Sequence, residues 1–362
     1  MKKISLGVLP LIATIILASC GESNVRMHTT IHKDGSCERE VSYSTIMSQA
    51  QRDSLWQGNT APLAYPMPNC LNRQAFMGSL TNVEGDTVTT TLSRGFRSVE
   101  DMCKETPLTL NGTQLHSTAK FEKHFRWFYT EYSFQETISC VGDTFKLSAT
   151  DYADKDVVSY WFTGQPNLVH GMSGAEASEK LNEMEPKITH WLNDNLFKTC
   201  FDYIVNHYDS IANPPVSRER FVELRDSLAK KILEGNDDIT NVEPAEALRN
   251  FFHSDAYAIF FDENTPCGKG MNDELANRMN ILWFSVPYTL SMPGTVTDAG
   301  TGIIKGDVIY YPLTGERLIP NDYVISATSR ATNIWAYILT FLIVLLALAT
   351  FFISRKSKGK QK

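Results

Sequence analysis

Cysteine is the residue type with the most chemistry to offer in this chain, which contains seven. Six of them lie in the body of the sequence, at spacings of 33 to 67 residues: Cys37, Cys70, Cys103, Cys140, Cys200 and Cys267. No two are separated by only two residues, which disfavours a zinc knuckle or a thioredoxin-type site. In an exported protein, six cysteines allow up to three disulfides in fifteen pairings. We therefore predict disulfides among these six, with the pairing left open and buried free thiols as the alternative.

Residue patterns for metal binding or catalysis are weak. His28 and His32 share one face of a predicted strand, but the sequence supplies no further ligands. Asp262, Glu263 and the stretch 272–274 offer oxygen ligands at spacings that differ from an EF-hand. The glycines between 300 and 306 do not have the spacing of a dinucleotide-binding loop and indicate a hairpin turn instead. We therefore predict no metal, no cofactor and no catalytic residue.

Aromatic residues are concentrated in one stretch that alternates in part with polar residues, as on a strand with one face in water. Such a cluster lines a lipid or glycan groove in some proteins, and more often supplies part of a core. Its members are Phe125, Trp127, Phe128, Tyr129, Tyr132 and Phe134.

The first twenty residues have the order of parts expected of a lipoprotein leader. Two lysines precede an apolar stretch, Ile4 to Ile16, that is too short to span a bilayer. It ends in Leu17-Ala-Ser-Cys20, which resembles the bacterial lipobox, where small residues precede a cysteine that receives a diacylglycerol. We predict a signal peptide over residues 1–19 and lipidation of Cys20. An ordinary secretory signal with an incidental cysteine is the alternative.

A second apolar stretch, from Ile334 to Ile353, has about twenty residues without a charge, enough for a helix of about 30 Å. Trp335 and Tyr337 lie at its start, where aromatic rings favour the membrane interface. Five basic residues and no acid follow in residues 354–362. By the positive-inside rule we predict a transmembrane helix over 334–353 and a cytoplasmic tail, with the body and Cys20 across the inner (cytoplasmic) membrane, in the periplasm or extracytoplasmic space. A buried core helix is the alternative.

The charge of the chain limits its partners. The formal net charge of −7 includes seven positive charges in the leader and the tail, so the body between them is near −14. An acidic surface of this kind repels nucleic acid and anionic lipid headgroups. We therefore predict no nucleic-acid partner and expect membrane attachment to depend on the lipid and the helix together.

The body changes composition twice. Residues 20–150 are rich in strand patterns, beginning with a hairpin around Asp34-Gly35. Residues 151–265 have the three- and four-residue spacing of amphipathic helices. Strand patterns return in 266–330, at Met279–Leu290, Gly302–Pro312 and Tyr323–Ala327. We predict an α+β fold in which N- and C-terminal strands form one antiparallel sheet, with the helices as an insertion and one C-terminal transmembrane helix.

About 80 residues at the two strand-rich ends resemble the LppM-like (DUF3153-type) group of bacterial envelope lipoproteins. The motifs are an early turn at Asp34-Gly-Ser36, a proline-glycine turn at Met292–Val296, the strand Gly306–Pro312, and a strand at Asp322–Arg330 that leads into a membrane helix. The helical middle departs from the compact members of this group. The resemblance implies an α+β envelope lipoprotein that binds or supports, and it brings no catalytic residues.

Three functions remain open. The absence of catalytic motifs, the acidic body and the two anchors favour a non-catalytic binding module of the cell envelope, with a protein, lipid or glycan as its partner. A scaffold subunit of an inner-membrane assembly is an alternative, although the predicted membrane helix offers only Thr340 and Thr350 as polar residues. A hydrolase with an unfamiliar site is the third.

Overall fold

The computed structural model describes residues 25–55, 70–110, 113–233 and 242–358. The predicted signal peptide, Cys20 and the last four residues of the basic tail lie outside them. Over the described residues the fold is α+β, as predicted.

Thirteen strands occur in the described part of the chain. They are β1 (Arg26–Ile31), β2 (Cys37–Ile46), β3 (Gly78–Glu84), β4 (Thr87–Phe96), β5 (Thr109–Leu110), β6 (Thr113–Gln114), β7 (Ser117–Phe125), β8 (Tyr129–Ile138), β9 (Ser285–Ser291), β10 (Thr295–Asp298), β11 (Ile303–Lys305), β12 (Val308–Thr314) and β13 (Tyr323–Thr332).

Nine α-helices accompany them over the same residues. They are α1 (Gln49–Leu55), α2 (Val99–Glu105), α3 (Lys155–Thr163), α4 (Gly174–Asn206), α5 (Arg218–Glu223), α6 (Arg225–Leu233), α7 (Pro244–Phe252), α8 (Pro266–Trp283) and α9 (Ile334–Lys358).

The predicted first hairpin is confirmed. Residues 26–31 pair antiparallel with residues 37–42. Gly35 has φ +90°, a conformation that glycine adopts without a steric penalty. The Asp34 carboxylate accepts hydrogen bonds from the backbone N–H and the hydroxyl of Ser36, which fixes the turn.

The larger sheet has seven strands in the order β11-β12-β9-β1-β2-β4-β3. It joins strands from both ends of the body, which confirms that part of the prediction. One pair departs from the antiparallel pattern, because β1 and β9 run parallel, with Met27 beside Tyr288 and Thr30 beside Ser291. A parallel pair needs a long crossover connection, and here the chain between residues 31 and 285 provides it.

A second, antiparallel sheet has the order β10-β13-β8-β7. The strands of both sheets alternate buried and less buried residues, so each sheet has one face in the core. Val41 and Leu290 of the larger sheet and Phe134 and Ile325 of the smaller one belong to the same hydrophobic core. The body is therefore built from two sheets that pack on each other.

The helical stretch extends beyond the predicted boundary at residue 265. Residues 266–283 form helix α8, so the prediction that strands return at 266, and from Met279 in particular, is wrong until β9 begins at Ser285. The helix starts at Thr265, whose side chain accepts a hydrogen bond from the Gly268 N–H, with Pro266 in the first turn. Short apolar runs such as Met279–Trp283 do not distinguish helix from strand by periodicity.

Helix α4 connects the packed sheets to a second hydrophobic core. It begins with a capping box between Ser173 and Glu176 and has 33 residues. Ile188 and Trp191 lie in the core of the two sheets, whereas Phe201 and Ile204 lie in the helical core. Because one helix contributes to both cores, the helical region is joined to the sheets by packing and not by a loop alone.

Phe221 tests the second core. Its side chain is fully buried and lies against the rings of Phe201, Phe252 and Tyr257 at 5.0–5.6 Å between centroids. Phe221→Ala should lower the free energy of unfolding by about 3–5 kcal/mol, since it removes a buried ring and leaves a cavity. Denaturant unfolding of the full chain in detergent, followed by circular dichroism, measures this change.

The neighbouring Val222 provides the control, because its side chain is 44% exposed. Val222→Ala should change stability by less than about 0.5 kcal/mol. Equal effects of the two substitutions would contradict the described core.

Candidate functional site

The six cysteines of the body are all free thiols in the structure. Burial raises the pKa of Cys37 and Cys70 to about 11, and that of Cys200 to about 12. A thiol with such a pKa carries almost no thiolate at neutral pH and is a poor nucleophile. Free thiols are the reduced form of the chain, and disulfides concern its oxidised form, so the predicted disulfides stay a prediction.

A buried polar cluster lies between the two sheets. An Arg39 guanidinium N–H donates to Glu136 Oε2 at 2.7 Å, and both side chains are 2% exposed. The Tyr288 hydroxyl lies 2.9 Å from the same carboxylate oxygen and 2.8 Å from the Thr29 hydroxyl. Cys103 of α2 donates its S–H to Glu136 Oε1 at 3.5 Å. The cluster thus joins both sheets and one helix.

The electrostatics of this cluster favour an ion pair over a reactive site. Burial acts to lower the pKa of Arg39, but the Glu136 charge, the neighbouring Tyr288 and Cys103 and the hydrogen bond to Glu136 together raise that pKa. Burial and the Glu136 charge raise the pKa of the Cys103 thiol to about 12, and burial raises that of the Tyr288 phenol. The thiol and the phenol are therefore neutral hydrogen-bond donors at neutral pH.

A small recess lies beside the cluster and is lined partly by Leu108, Leu115 and Ile138. The Glu136 carboxylate already accepts hydrogen bonds from Arg39, Tyr288 and Cys103. The arrangement fastens the two sheets together, because a buried charge needs such partners.

The two histidines that were considered as metal ligands have other surroundings in the structure. His28 bonds to the hydroxyls of Thr289 at 2.8 Å and Thr30 at 3.1 Å, and burial lowers its pKa against the opposing effect of Glu40. His32 lies just beyond the end of β1. Among the described residues no group of three His, Cys, Asp or Glu side chains is placed to hold a metal ion.

Asp262 and the glycines belong to turns, whereas the acidic stretch 272–274 lies in helix α8. The Asp262 carboxylate accepts hydrogen bonds from the backbone and side-chain amides of Asn264. Gly300 and Gly306 have positive φ angles of 54° and 62° in the connections around β11, as a hairpin turn requires.

The aromatic stretch divides into two parts. Tyr132 and Phe134 point into the core of the two sheets, and Phe134 is 1% exposed. Phe125, Trp127 and Phe128 lie at the tip of the β7–β8 hairpin and are 56%, 43% and 39% exposed. Tyr132 and Phe134 therefore belong to the hydrophobic core, as predicted. The three exposed rings lie beside α9.

Asn333 connects the hairpin tip to α9, and it is the only residue between β13 and that helix. Its side-chain amide donates to the carbonyls of Arg126 at 2.8 Å and Trp127 at 3.3 Å. Its backbone N–H donates to the Phe128 carbonyl at 2.9 Å, and its side-chain oxygen accepts from the Thr130 hydroxyl at 3.0 Å. Four hydrogen bonds from one residue therefore hold the helix against the hairpin.

Ring contacts extend this attachment along the first turns of α9. Trp335 lies 6.2 Å from the Phe125 ring and 5.5 Å from the Trp127 ring, between centroids. Tyr337 lies 4.7 Å from Phe128. We call residues 125–130 and 333–340 together the helix–hairpin junction.

One further contact tightens the junction. The Trp127 indole N–H donates to the Thr340 hydroxyl at 2.8 Å. Ala336, in the first turn of α9, is fully buried.

Helix α9 has the properties of a membrane anchor. Ile334–Phe351 is long and apolar enough to cross a bilayer, and only 6% of that stretch is buried in the protein. A core helix of a soluble protein would be mostly buried.

Comparison with protein-family models, with curated proteins and with solved structures finds no match to this chain. The resemblance to the LppM-like group therefore stays a prediction based on short motifs.

Glu136→Ala tests the buried cluster. It leaves the Arg39 charge buried without a partner, so the free energy of unfolding should fall by about 3–5 kcal/mol. Denaturant unfolding of the full chain in detergent gives this value.

Glu183→Ala is the matched control, because it breaks an exposed pair with Lys180 and should cost less than about 1 kcal/mol. The double variant Arg39→Met with Glu136→Leu removes both charges and should lose less stability than Glu136→Ala alone. An equal loss would show that packing, and not the unpaired charge, explains the effect.

Asn333→Ala tests the junction. It removes the two side-chain bonds to the hairpin carbonyls and the bond from Thr130, so the tip should open more often. We expect faster amide hydrogen exchange at residues 126–130, with little change in the core strand β2. Thr332→Ala, at an exposed position one residue earlier, is the control and should leave exchange at the tip unchanged.

Proposed function

We propose that this chain is a membrane-anchored, non-catalytic binding module of the bacterial cell envelope, of LppM-like type. In this proposal the helix Ile334–Ile353 crosses the inner membrane and the basic tail is cytoplasmic. The body lies in the periplasm or extracytoplasmic space, and Cys20 carries a lipid. The partner is an envelope protein, a lipid or a glycan.

The observation that supports the proposal most is the helix–hairpin junction. A flexible linker between a body and its membrane helix allows the body to take many orientations. Here Asn333 alone separates β13 from α9, and its four hydrogen bonds fix the angle between them. A body held in this way presents its surfaces at a defined height and orientation above the membrane.

The position of the helices fits this role. At one end of the smaller sheet, Thr332 of β13 pairs with Tyr129, beside the membrane helix. At the other end Tyr323 pairs with Ile138, and soon afterwards Leu147 bonds to Trp191 and Asn195 of α4. The helical region is therefore attached at the end away from α9, where it is free of the bilayer and accessible to a partner.

The chemistry of the body also supports binding over catalysis. The most buried acid, Glu136, is paired with Arg39, and the neighbouring thiol of Cys103 has a raised pKa of about 12. These groups stabilise the interior of the body, and the proposal assigns them no part in a reaction.

Membrane topology is the first test. Cys140 is an exposed thiol of the body, so a maleimide that cannot cross membranes should label it from outside the inner membrane. A cysteine introduced in the tail by Ser357→Cys, in a chain that also carries Cys140→Ser, is the control and should react only after the membrane is permeabilised. Cys20→Ala should lose lipid labelling and remain in the membrane through α9. Labelling of the tail alone would refute the topology, and release of Cys20→Ala into solution would refute the membrane helix.

Purification from the native host in mild detergent is the second part of that test. We expect a protein, lipid or glycan to be retained in constant ratio by the wild-type chain. Phe221→Ala, which disrupts the helical core, should reduce that retention, whereas Val222→Ala should not. A chain purified with nothing bound would contradict the binding module.

A further inference from the structure

The helix–hairpin junction contains a group of exposed aromatic rings. We call Phe125, Trp127, Phe128, Trp335 and Tyr337 the aromatic collar. Their exposed fractions are between 39% and 56%, although they contact one another. Exposed rings of this number in one place indicate a binding surface.

The length of α9 fixes the height of the collar. The apolar stretch from Ile334 to Ile353 is about 30 Å long at 1.5 Å per residue, which is the thickness of the hydrocarbon core. Because the apolar stretch is no longer than the hydrocarbon core is thick, Ile334 lies at the edge of that core. The Trp127 side chain reaches Thr340, which is about 9 Å further along the helix. The hairpin tip therefore overlaps the first turns of the membrane-spanning segment.

The backbone carbonyls of the tip have hydrogen-bond partners that suit such an environment. Polar backbone groups that enter lipid must be bonded within the protein, because water is not there to replace the bonds. The carbonyls of Arg126, Trp127 and Phe128 accept hydrogen bonds from Asn333, and the Tyr129 carbonyl accepts one from the Arg126 N–H. All four carbonyls of the turn are thus bonded internally.

The charges near the tip also fit a lipid surface. Lys123 and Arg126 are exposed near and within the turn, and Lys123 Nζ lies 5.8 Å from the centre of the Tyr132 ring. Long basic side chains extend towards phosphates while their stems pack on apolar groups. This end therefore carries cationic groups able to meet headgroups, in contrast to the acidic charge of the body as a whole.

We propose that the tip of the β7–β8 hairpin is a lipid-binding element that inserts the aromatic collar into the headgroup and upper acyl region of the bilayer. This inference rests on the proposed function, since it takes α9 as membrane-spanning. The partner is the phospholipid surface itself. Insertion fixes the tilt of the body by a second contact beside the helix.

Lipid-dependent quenching of tryptophan emission tests the proposal. The full chain is reconstituted in phosphatidylcholine vesicles with and without a lipid that carries a nitroxide quencher at carbon 5 of the acyl chain. Trp127→Phe should lose about half of the quenchable emission, leaving that of Trp335. Trp283→Phe, which removes an exposed tryptophan of the helical region, is the control and should lose none.

A second variant distinguishes a tip that lies outside the bilayer from one that Trp127→Phe has misfolded. In the Trp127→Phe background, Phe128→Trp should restore quenchable emission, because residue 128 lies in the same collar. If Trp127→Phe behaves like Trp283→Phe and Phe128→Trp restores nothing, the tip is outside the bilayer and the inference is wrong. Quenching of Trp335 would then still show that the helix is inserted, so the proposed function would stand. If the nitroxide lipid quenches no tryptophan at all, both the lipid-binding tip and the proposed function are wrong.

A second copy of the chain bound at the collar, in place of lipid, would give a different result. A crosslink between two copies at residue 127, with no lipid quenching there, would assign the surface to a second copy of the chain. This outcome also overturns the lipid proposal.

Discussion

The carbonyls at the tip of the β7–β8 hairpin are the constraint on which the position of helix α9 depends. A tight turn leaves carbonyls that its own strands cannot satisfy, and each needs a partner from elsewhere in the protein or from water. Asn333 satisfies three of them with one side chain and one backbone N–H. Because the same residue precedes α9, satisfying the turn also sets the angle at which the helix leaves the body.

The interior continues this connection away from the membrane. The Arg39–Glu136 pair links β2 of the larger sheet to β8 of the smaller one, and β8 begins beside the hairpin tip. Helix α4 then shares side chains with both cores. Packing and hydrogen bonds therefore run without a break from helix α9 to the helical region. A buried pair of this kind contributes little net stability compared with apolar packing, but breaking it is costly, so it favours one arrangement of the two sheets.

Local signals in the sequence predicted local structure well. Asp34-Gly35 indicated the first hairpin because a glycine is needed at positive φ. The C-terminal helix was predicted from the length of its uncharged apolar stretch. The start of α8 was missed, although Thr265 followed by Pro266 is a recognisable helix start.

Long-range pairings could not be predicted in the same way. Arg39 and Glu136 are 97 residues apart, and each appears in the sequence as an ordinary polar position on a strand. Asn333 is separated by about 200 residues from the carbonyls it binds. One signal was available for it, since a lone amide directly before an apolar helix is a common capping residue. The exposed half of the aromatic stretch was found, but its contact with the membrane helix depends on the pairing of β8 with β13.

The direction of β1 sets a length limit on a lipid at Cys20. Strand β1 runs parallel to β9, and the end of β9 lies near the membrane helix, since the Pro293 carbonyl accepts a bond from Ser329 of β13. The start of β1 is therefore at the far end of the strand, about 20 Å away for six residues. Five steps of chain from Cys20 to Val25 span at most about 18 Å. If Cys20 carries a lipid and α9 crosses a bilayer, as proposed, these two lengths nearly match. For both anchors to enter one bilayer, the chain before β1 must then run back almost fully extended along the length of that strand.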